Sequence, residues 1–298
     1  RRYTNYIRTN ESKSHYLYKS PSINEKLFIE NLLEIINVEN IDLLIPINSK
    51  DMRICLKYKT DLGSTLDCFG SFEIFNKLDD KKELANIARE LELRIPKSYS
   101  INEESFSFPL VFKPTVSSSS KAVKYIKNDD ELEILRNSVT IRGGCYVIQE
   151  YISGQGVGYS VLSINGEIIQ GAGHKRLAEF PVSGGSSSIR ESFFHQDMHE
   201  MAVKIMKTTK FSGLAMLEFK LTDQGEVVLI EINPRIWGSI NQAVQSGVNF
   251  PQLLVKVNNK AAKAEIVDVT TYLPPLHIIS LILYIIQKFN FRPLLKFS

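Results

Sequence analysis

Apolar residues recur along this chain with two periods, and the alternation between them lays out its elements. Between Ile23 and Ile36, the residues Leu27, Phe28, Leu32, Leu33, Ile35 and Ile36 fall at helical spacing. Residues 80–93 carry Leu84, Ile87, Ala88 and Leu91 on one helical face. Further helices are predicted over 129–137, over 198–210 with Met201, Ala202, Ile205 and Met206 inward, and around 240–244 and 253–257. Short apolar runs predict strands at 41–46, 109–114, 122–126 and 145–152. Residues 153–158 read as a turn-rich break. The strongest hairpin signal follows, two apolar runs at 159–164 and 167–171 joined by Asn165-Gly166. The stretch from there to Ser192 is polar and rich in glycine and serine. Two last strands, 213–221 and 227–233, flank the short turn Thr222-Asp-Gln-Gly-Glu226. The helix and strand of residues 23–46 make one step of a parallel α/β layer, and one strand is not a domain, so upstream units are expected to be absent.

The last two strands carry the most informative polar residues. Glu231, Asn233 and Arg235 stand at alternate positions of an otherwise apolar run and so point to one side. Glu218 on the partner strand is placed to come beside Glu231. Two carboxylates and an amide are hard oxygen ligands suited to one or two divalent cations, and a planar guanidinium suits phosphate oxygens beside them. A carboxylate within Val-Val-Leu-Ile-Glu-Ile is costly to bury unless it is paired or bound to metal. Earlier in the chain, Lys113 ends a strand, residues 115–120 form a loop of small residues, Gln149 and Glu150 interrupt an apolar strand, and Lys175 and Arg176 form a basic cluster. Together these are the parts of a nucleotide-phosphate site without a P-loop, since no Gly-x-x-x-x-Gly-Lys-Ser/Thr occurs. His174 and His195 read as surface or hydrogen-bonded residues, Cys145 as core, and Trp237 as packing behind Arg235.

Composition narrows the setting. The net charge of +3 in 298 residues, spread along the chain without aromatic and basic clusters, gives no argument for nucleic acid. Three cysteines without metal-type spacing read as reduced thiols of a cytoplasmic protein. The chain opens Arg-Arg-Tyr-Thr without an apolar leader. Its apolar run at 276–286 is shorter than a membrane span and reads as a buried or partner-docking helix, which does not favour membrane association.

The order of these pieces resembles the ATP-grasp superfamily, and within it the stand-alone relatives of the carbamoyl-phosphate synthetase large chain. The resemblance covers roughly residues 41–257. It rests on Glu231-Ile-Asn-Pro-Arg235 followed by Trp-Gly-Ser, with Asp80-Lys81, Pro109-Leu-Val-Phe-Lys-Pro114 and Gln149-Glu-Tyr-Ile-Ser-Gly154. It implies two α+β lobes clasping MgATP (or the manganese complex), preceded by a truncated N-terminal α/β domain. The implied division is 1–76, 77–150 with the phosphate flap, 151–258 with the metal site, and an apolar helical tail at 259–298. By the same resemblance Lys113 contacts the phosphates, and Thr115, Ser117, Ser118, Ser119 and Ser120 belong to the flap. Gln149, Glu150, Tyr151 and Ile152 meet adenine, and Glu218, Glu231 and Asn233 hold the metal. Arg235 steadies the γ-phosphate or acyl phosphate, while Lys175, Arg176 and Arg190, with Ser183 and Gly184, line the phosphate and acceptor side. The implied reaction is an ADP-forming carboxylate-amine ligation on small molecules, with a kinase or a non-catalytic nucleotide-binding module as alternatives and a homodimer allowed. Two departures stand out: the flap has serines where relatives carry glycine, and Gly156-Val-Gly158 stands where many relatives place an acidic residue for the ribose.

Overall fold

In a computed structural model of the chain, residues 14–103, 105–116, 122–142, 145–180, 185–256 and 266–288 are described. The first part is helical: α1 (Glu25–Glu39), α2 (Ser49–Lys57), α3 (Lys59–Leu62), α4 (Phe72–Asp79) and α5 (Lys81–Glu90). Four of the helices begin where the sequence offers a short polar side chain. Asn24, Asn48, Ser71 and Asp80 each accept a bond from a backbone N–H of the first turn that the helix itself cannot satisfy. Residues 41–46 do not form the expected strand. Leu44 N–H bonds only to Thr65 carbonyl, and Leu43, Leu44 and Ile45 instead pack their side chains against the helical core. A strand needs a ladder partner, and this segment meets none among the described residues.

A small antiparallel sheet follows, from β1 (Ser98–Tyr99), β2 (Leu110–Pro114), β3 (Lys124–Ile126) and β4 (Tyr146–Glu150), in the order β1-β4-β2-β3. Helix α6 (Asp129–Arg142) covers one face of it, closing a core of Leu110, Ile126, Leu132, Leu135 and Ile148.

The large sheet is also antiparallel, in the order β10-β7-β6-β5-β8-β9. It contains β5 (Gln155–Ile164), β6 (Glu167–Phe180), β7 (Ser186–Ser192), β8 (Gly213–Leu221), β9 (Val227–Asn233) and β10 (Thr270–Tyr272). The hairpin of β5 and β6 turns on Asn165 and Gly166, both at positive φ, as a tight two-residue turn requires. Both strands run farther than the sequence pattern indicates: the turn-rich break at 153–158 is largely the start of β5, and the polar run to Ser192 supplies the rest of β6 and all of β7. Their neighbours on both sides satisfy the backbone, which overrides the weak strand propensity of glycine and serine.

Alternation then gives the sheet two faces. Val157, Tyr159, Val161, Ala215, Leu217 and Phe219 pack against α7 (Gln196–Thr209) and α5. Leu162, Ala172, Leu214 and Met216 point the other way, into a core shared with the N-terminal helices, Trp237, and α9 (Phe250–Val255), which follows α8 (Ile240–Gln245). The last helix, α10 (Leu276–Lys288), rests Leu281 and Ser280 on β7 and leaves Ile278, Ile279, Ile282 and Ile286 exposed. Among the described residues no helix is long and apolar enough to cross a membrane.

Candidate functional site

The part of the large sheet that the apolar core leaves open is a cleft facing the small sheet. A row of residues in direct register crosses four strands beneath it, His174 on β6, Gly158 on β5, Glu218 on β8 and Glu231 on β9, and of these Glu218 and Glu231 border the cavity. Residues directly opposite share a face, so the two carboxylates stand side by side, and Asn233, opposite Met216, joins them one step along. A bulge between Glu218 and Phe219 in this pairing carries the extra residue, Ile230, without disturbing the Glu218–Glu231 match. The side-by-side placement of Glu218, Glu231 and Asn233 is the one their spacing predicts.

The opposite wall comes from the small sheet and the start of α5. Lys113 on β2, Gln149 on β4 and Lys81 at the head of α5 all border the cavity, whose volume is about 420 Å³. Lys113 and Lys81 are each only 5% exposed. One end of the cavity is apolar and aromatic, with Val111, Ile152, Phe219, Ile230 and an edge-to-face pair of Tyr125 and Tyr151 at 5.7 Å. Gln149 Oε1 is buried there without a hydrogen-bond partner, while its amide reaches Ser98 Oγ at 3.5 Å. The other end is charged, with Lys81, Lys113, Arg176, Glu218, Glu231, Asn233 and Arg235.

The charges are closely interlocked. Lys81 Nζ lies 3.3 Å from Glu231, and Arg176 bridges Glu218 and Glu179. Asn233 donates to Glu218 Oε1 at 3.1 Å, and Arg235 Nη2 donates to Asn233 Oδ1 at 2.7 Å. Burial pushes both facing carboxylates up. At Glu231 the cations of Lys81 and Lys113 outweigh it and hold the group below the usual range; at Glu218 burial and the charge of Glu231 outweigh Arg176 and leave it raised. Burial, reinforced by Lys81, brings Lys113 down to about 8 against the pull of the glutamates. Two carboxylates and an amide oxygen are a donor set that fits a magnesium ion, whose charge would replace the protein cations now on those oxygens. Among the described residues no group of three His, Cys, Asp or Glu side chains is arranged for a metal, so the third protein ligand here would be Asn233.

Arg235 is tied from behind as well. Its Nε donates to Ser49 Oγ at 2.8 Å, Ser49 donates to Asp79 Oδ1 at 3.0 Å, and Asp79 accepts from Arg53 at 2.6 Å. This chain anchors the guanidinium to α2 and α4. Trp237 is buried and packs edge-on to Phe250 near it.

Not every sequence candidate reaches the cleft. Lys175 neighbours Arg176 in β6 and therefore faces the other side of the sheet, where it pairs with Glu191 at 3.5 Å and sits over the Phe193 ring. Arg190, opposite Arg176, shares its face but is buried beyond the cavity wall, donating to Ser187 carbonyl; burial first and Arg176 second lower it to about 10. Thr115 is buried, its backbone bonded to Lys81 and Cys145. Glu150, Tyr151 and Ile152 do border the cavity, Glu150 with its carboxylate accepting from Lys97 N–H and Tyr151 partly exposed. Ser117, Ser118, Ser119, Ser120, Ser183 and Gly184 lie outside the described residues. Cys145 is exposed rather than core, because it precedes the first paired residue of β4. His174 is fully enclosed, held neutral at about 3 by burial and by Arg176 and Arg190, whereas His195 caps α7. Among the charged cleft residues, three were absent from the sequence candidates: Lys81, which Asp80-Lys81 flagged only as a motif, and Glu179 and Lys220, which nothing marked.

Residues 145–275 match a family model described as ATP-grasp in the biosynthetic pathway with Ter operon. Among curated relatives, the D-alanine–D-alanine ligase of Bacillus pumilus is 24% identical over 202 residues, 60% of this chain and 54% of that protein. The vancomycin/teicoplanin A-type resistance protein VanA of Enterococcus faecium is 25% identical over 176 residues, 52% of this chain and 51% of VanA. The chain thus spans about half the length of these relatives. Among solved structures, the L-amino acid ligase from Bacillus licheniformis superposes with a TM-score of 0.65 at 19% identity, covering 86% of this chain and 67% of that one. The biotin carboxylase β,γ-ATP complex from Campylobacter jejuni gives 0.67 at 15% identity, covering 85% and 63%.

Proposed function

Since the chain is an ATP-grasp protein, we propose that it binds MgATP in this cleft and spends the γ-phosphoryl group on joining a small carboxylic acid to an amine. The observation that carries the proposal is the convergence of Lys81, Lys113, Glu218, Glu231, Asn233 and Arg235, from both sheets and a helix, on one cavity with an apolar end. The apolar end takes the base, with Gln149 Oε1 as a ready acceptor for its amino group, and the backbone of 149–152 lies along the same wall. Lys113 and Lys81 neutralise the phosphates.

Glu218, Glu231 and Asn233 would hold magnesium, or manganese, which when bound supplies charge neutralisation between these oxygens and the triphosphate. The chain's own residues do the rest by position and charge. Arg235, fixed by Ser49, and Arg176, held across β5, line up the carboxylate oxygen with the γ-phosphorus. That oxygen forms the new P–O bond as the bond to ADP breaks; an amine then attacks the carbonyl carbon of the acyl phosphate, and inorganic phosphate leaves. Arg190, opposite Arg176 on the next strand, adds positive charge behind it, and the placement of Lys175 gives it no direct part. Relatives named as D-alanine–D-alanine and L-amino acid ligases support amino acids as the substrates to test first.

The test is ADP release from ATP and Mg²⁺ with panels of amino acids and small carboxylic acids, with hydroxylamine present to trap acyl phosphate. Hydroxamate with ADP supports the ligase. ADP without hydroxamate replaces it by a kinase, and ATP binding without turnover on any panel replaces it by a binding module.

A further inference from the structure

Between the base end and the phosphate end of the cleft, β5 contributes only the bare backbone of Gly156 to the described lining, with a second glycine, Gly158, two residues on. The space above them is filled from the neighbouring strand. A Cβ at Gly158 would stand 2.5 Å from the His174 ring, and one at Gly156 would stand 2.8 Å from Arg176 Cδ and 2.9 Å from Glu179 Oε1. A carboxylate oxygen of β6 therefore occupies the position where a side chain of residue 156 would emerge.

Regular pairing would not put it there. Arg176 and Glu179 are three residues apart and would face opposite sides of a flat strand. Register irregularities between Arg176 and Ala178 and between Ala178 and Glu179 re-phase β6, so that both side chains border the cavity. The bond they share is long, 3.4 Å from Arg176 Nη1 to Glu179 Oε1, and Glu179 Oε2 has no partner among the described residues. Glu179 and Tyr125, at the aromatic end, border the same cavity, and burial first, then the charges of Tyr151 and Glu179, raise the Tyr125 hydroxyl above its usual range.

We propose that Glu179 reads the vicinal hydroxyls of the nucleotide's ribose, its carboxylate delivered from the bulged β6 across the bare backbone of β5. An ionised carboxylate has acceptor sites for two O–H donors, and a sugar's vicinal hydroxyls are two donors at matching separation. The position between an aromatic end and a phosphate-type end is where the sugar of a bound nucleotide lies. The inference rests on the nucleotide reading above and adds to it the residue that selects ribonucleotides.

The experiment measures binding of ATP, 2′-deoxy-ATP and 3′-deoxy-ATP with Mg²⁺ to the wild-type chain, E179Q and E179A. Wild type is expected to favour ATP over the deoxy analogues by about tenfold or more, the discrimination a hydrogen bond to a charged group supplies. E179Q is expected to compress the ratio to within about threefold, mostly by weakening ATP, and E179A to abolish it. Equal discrimination in wild type and E179Q, no discrimination in wild type, or an equal loss for all three nucleotides overturns the role of Glu179 while leaving the nucleotide site standing. Failure of wild type to bind any of them overturns the nucleotide reading itself.

Discussion

Arg176 holds apart two demands on the same carboxylate, and replacing it by methionine separates them. Its guanidinium is 17% exposed and lies between Glu218, 20% exposed, and Glu179, 14% exposed. Removing one partner of a buried ion pair costs about 3–5 kcal/mol. Here the groups keep some solvent contact and the Glu179 bond is long, so we expect the low end, about 3 kcal/mol, or a fall in melting midpoint of roughly 6–12 °C. The loss has a pH signature. Glu218 is already raised by burial and by Glu231 against the opposing Arg176, and R176M removes the opposition. An acid whose native pKa lies above its unfolded value destabilises the fold at pH above that native value, and the penalty fades as it takes up a proton. The deficit of R176M should therefore be largest at neutral pH and shrink on acidification. Magnesium offers a second signature: at a concentration about 100 times its dissociation constant it adds roughly 2.7 kcal/mol, close to the whole deficit. Thermal and urea unfolding across pH, with and without Mg²⁺, measure both. Wild-type stability in R176M, or a deficit that saturating Mg²⁺ leaves untouched, would refute the view that Arg176 stands in for a cation on Glu218.

Lys113, brought down to about 8 by burial, must be charged to hold phosphate, so ATP binding above that pH should take up a proton. Calorimetry in two buffers of different ionisation enthalpy reads that proton, and it should vanish in K113M; heats independent of buffer would count against the lysine–phosphate contact. Ser49→Ala unties Arg235 from α2 and is expected to lower the rate of ADP formation about tenfold with little change in KM for ATP. S49T, which keeps the hydroxyl, should recover the rate; if it is no better than S49A, the tether does not position Arg235.

How far the sequence carries the structure depends on what kind of contact decides each piece. The pairing of Glu218 with Glu231 was legible because strand alternation and a short turn are local, and so was the helix that begins at Asp80. The long reach of β5, β6 and β7 was not, since glycine and serine carry little strand preference and the deciding partners lie across the sheet. The six residues 41–46 failed in the reverse sense, apolar enough for a strand but with no ladder to join. Within the site, Lys175 and Arg176 look alike as a basic pair, and only the face each takes tells them apart. Glu179 had no signal because a bulge, which no local pattern announces, turns it inward.

The bare stretch of β5 also divides the cleft into two provinces. Metal-type ligands sit on β8 and β9 to one side of it, and the side chains that contour the remaining space come from β6 on the other. Selectivity can thus be rewritten along one strand while the metal-type ligands are left alone, with Arg176 reaching over the boundary to Glu218. A protein engineer seeking a different cosubstrate would begin with Glu179 and leave Arg176 and the two glycines in place.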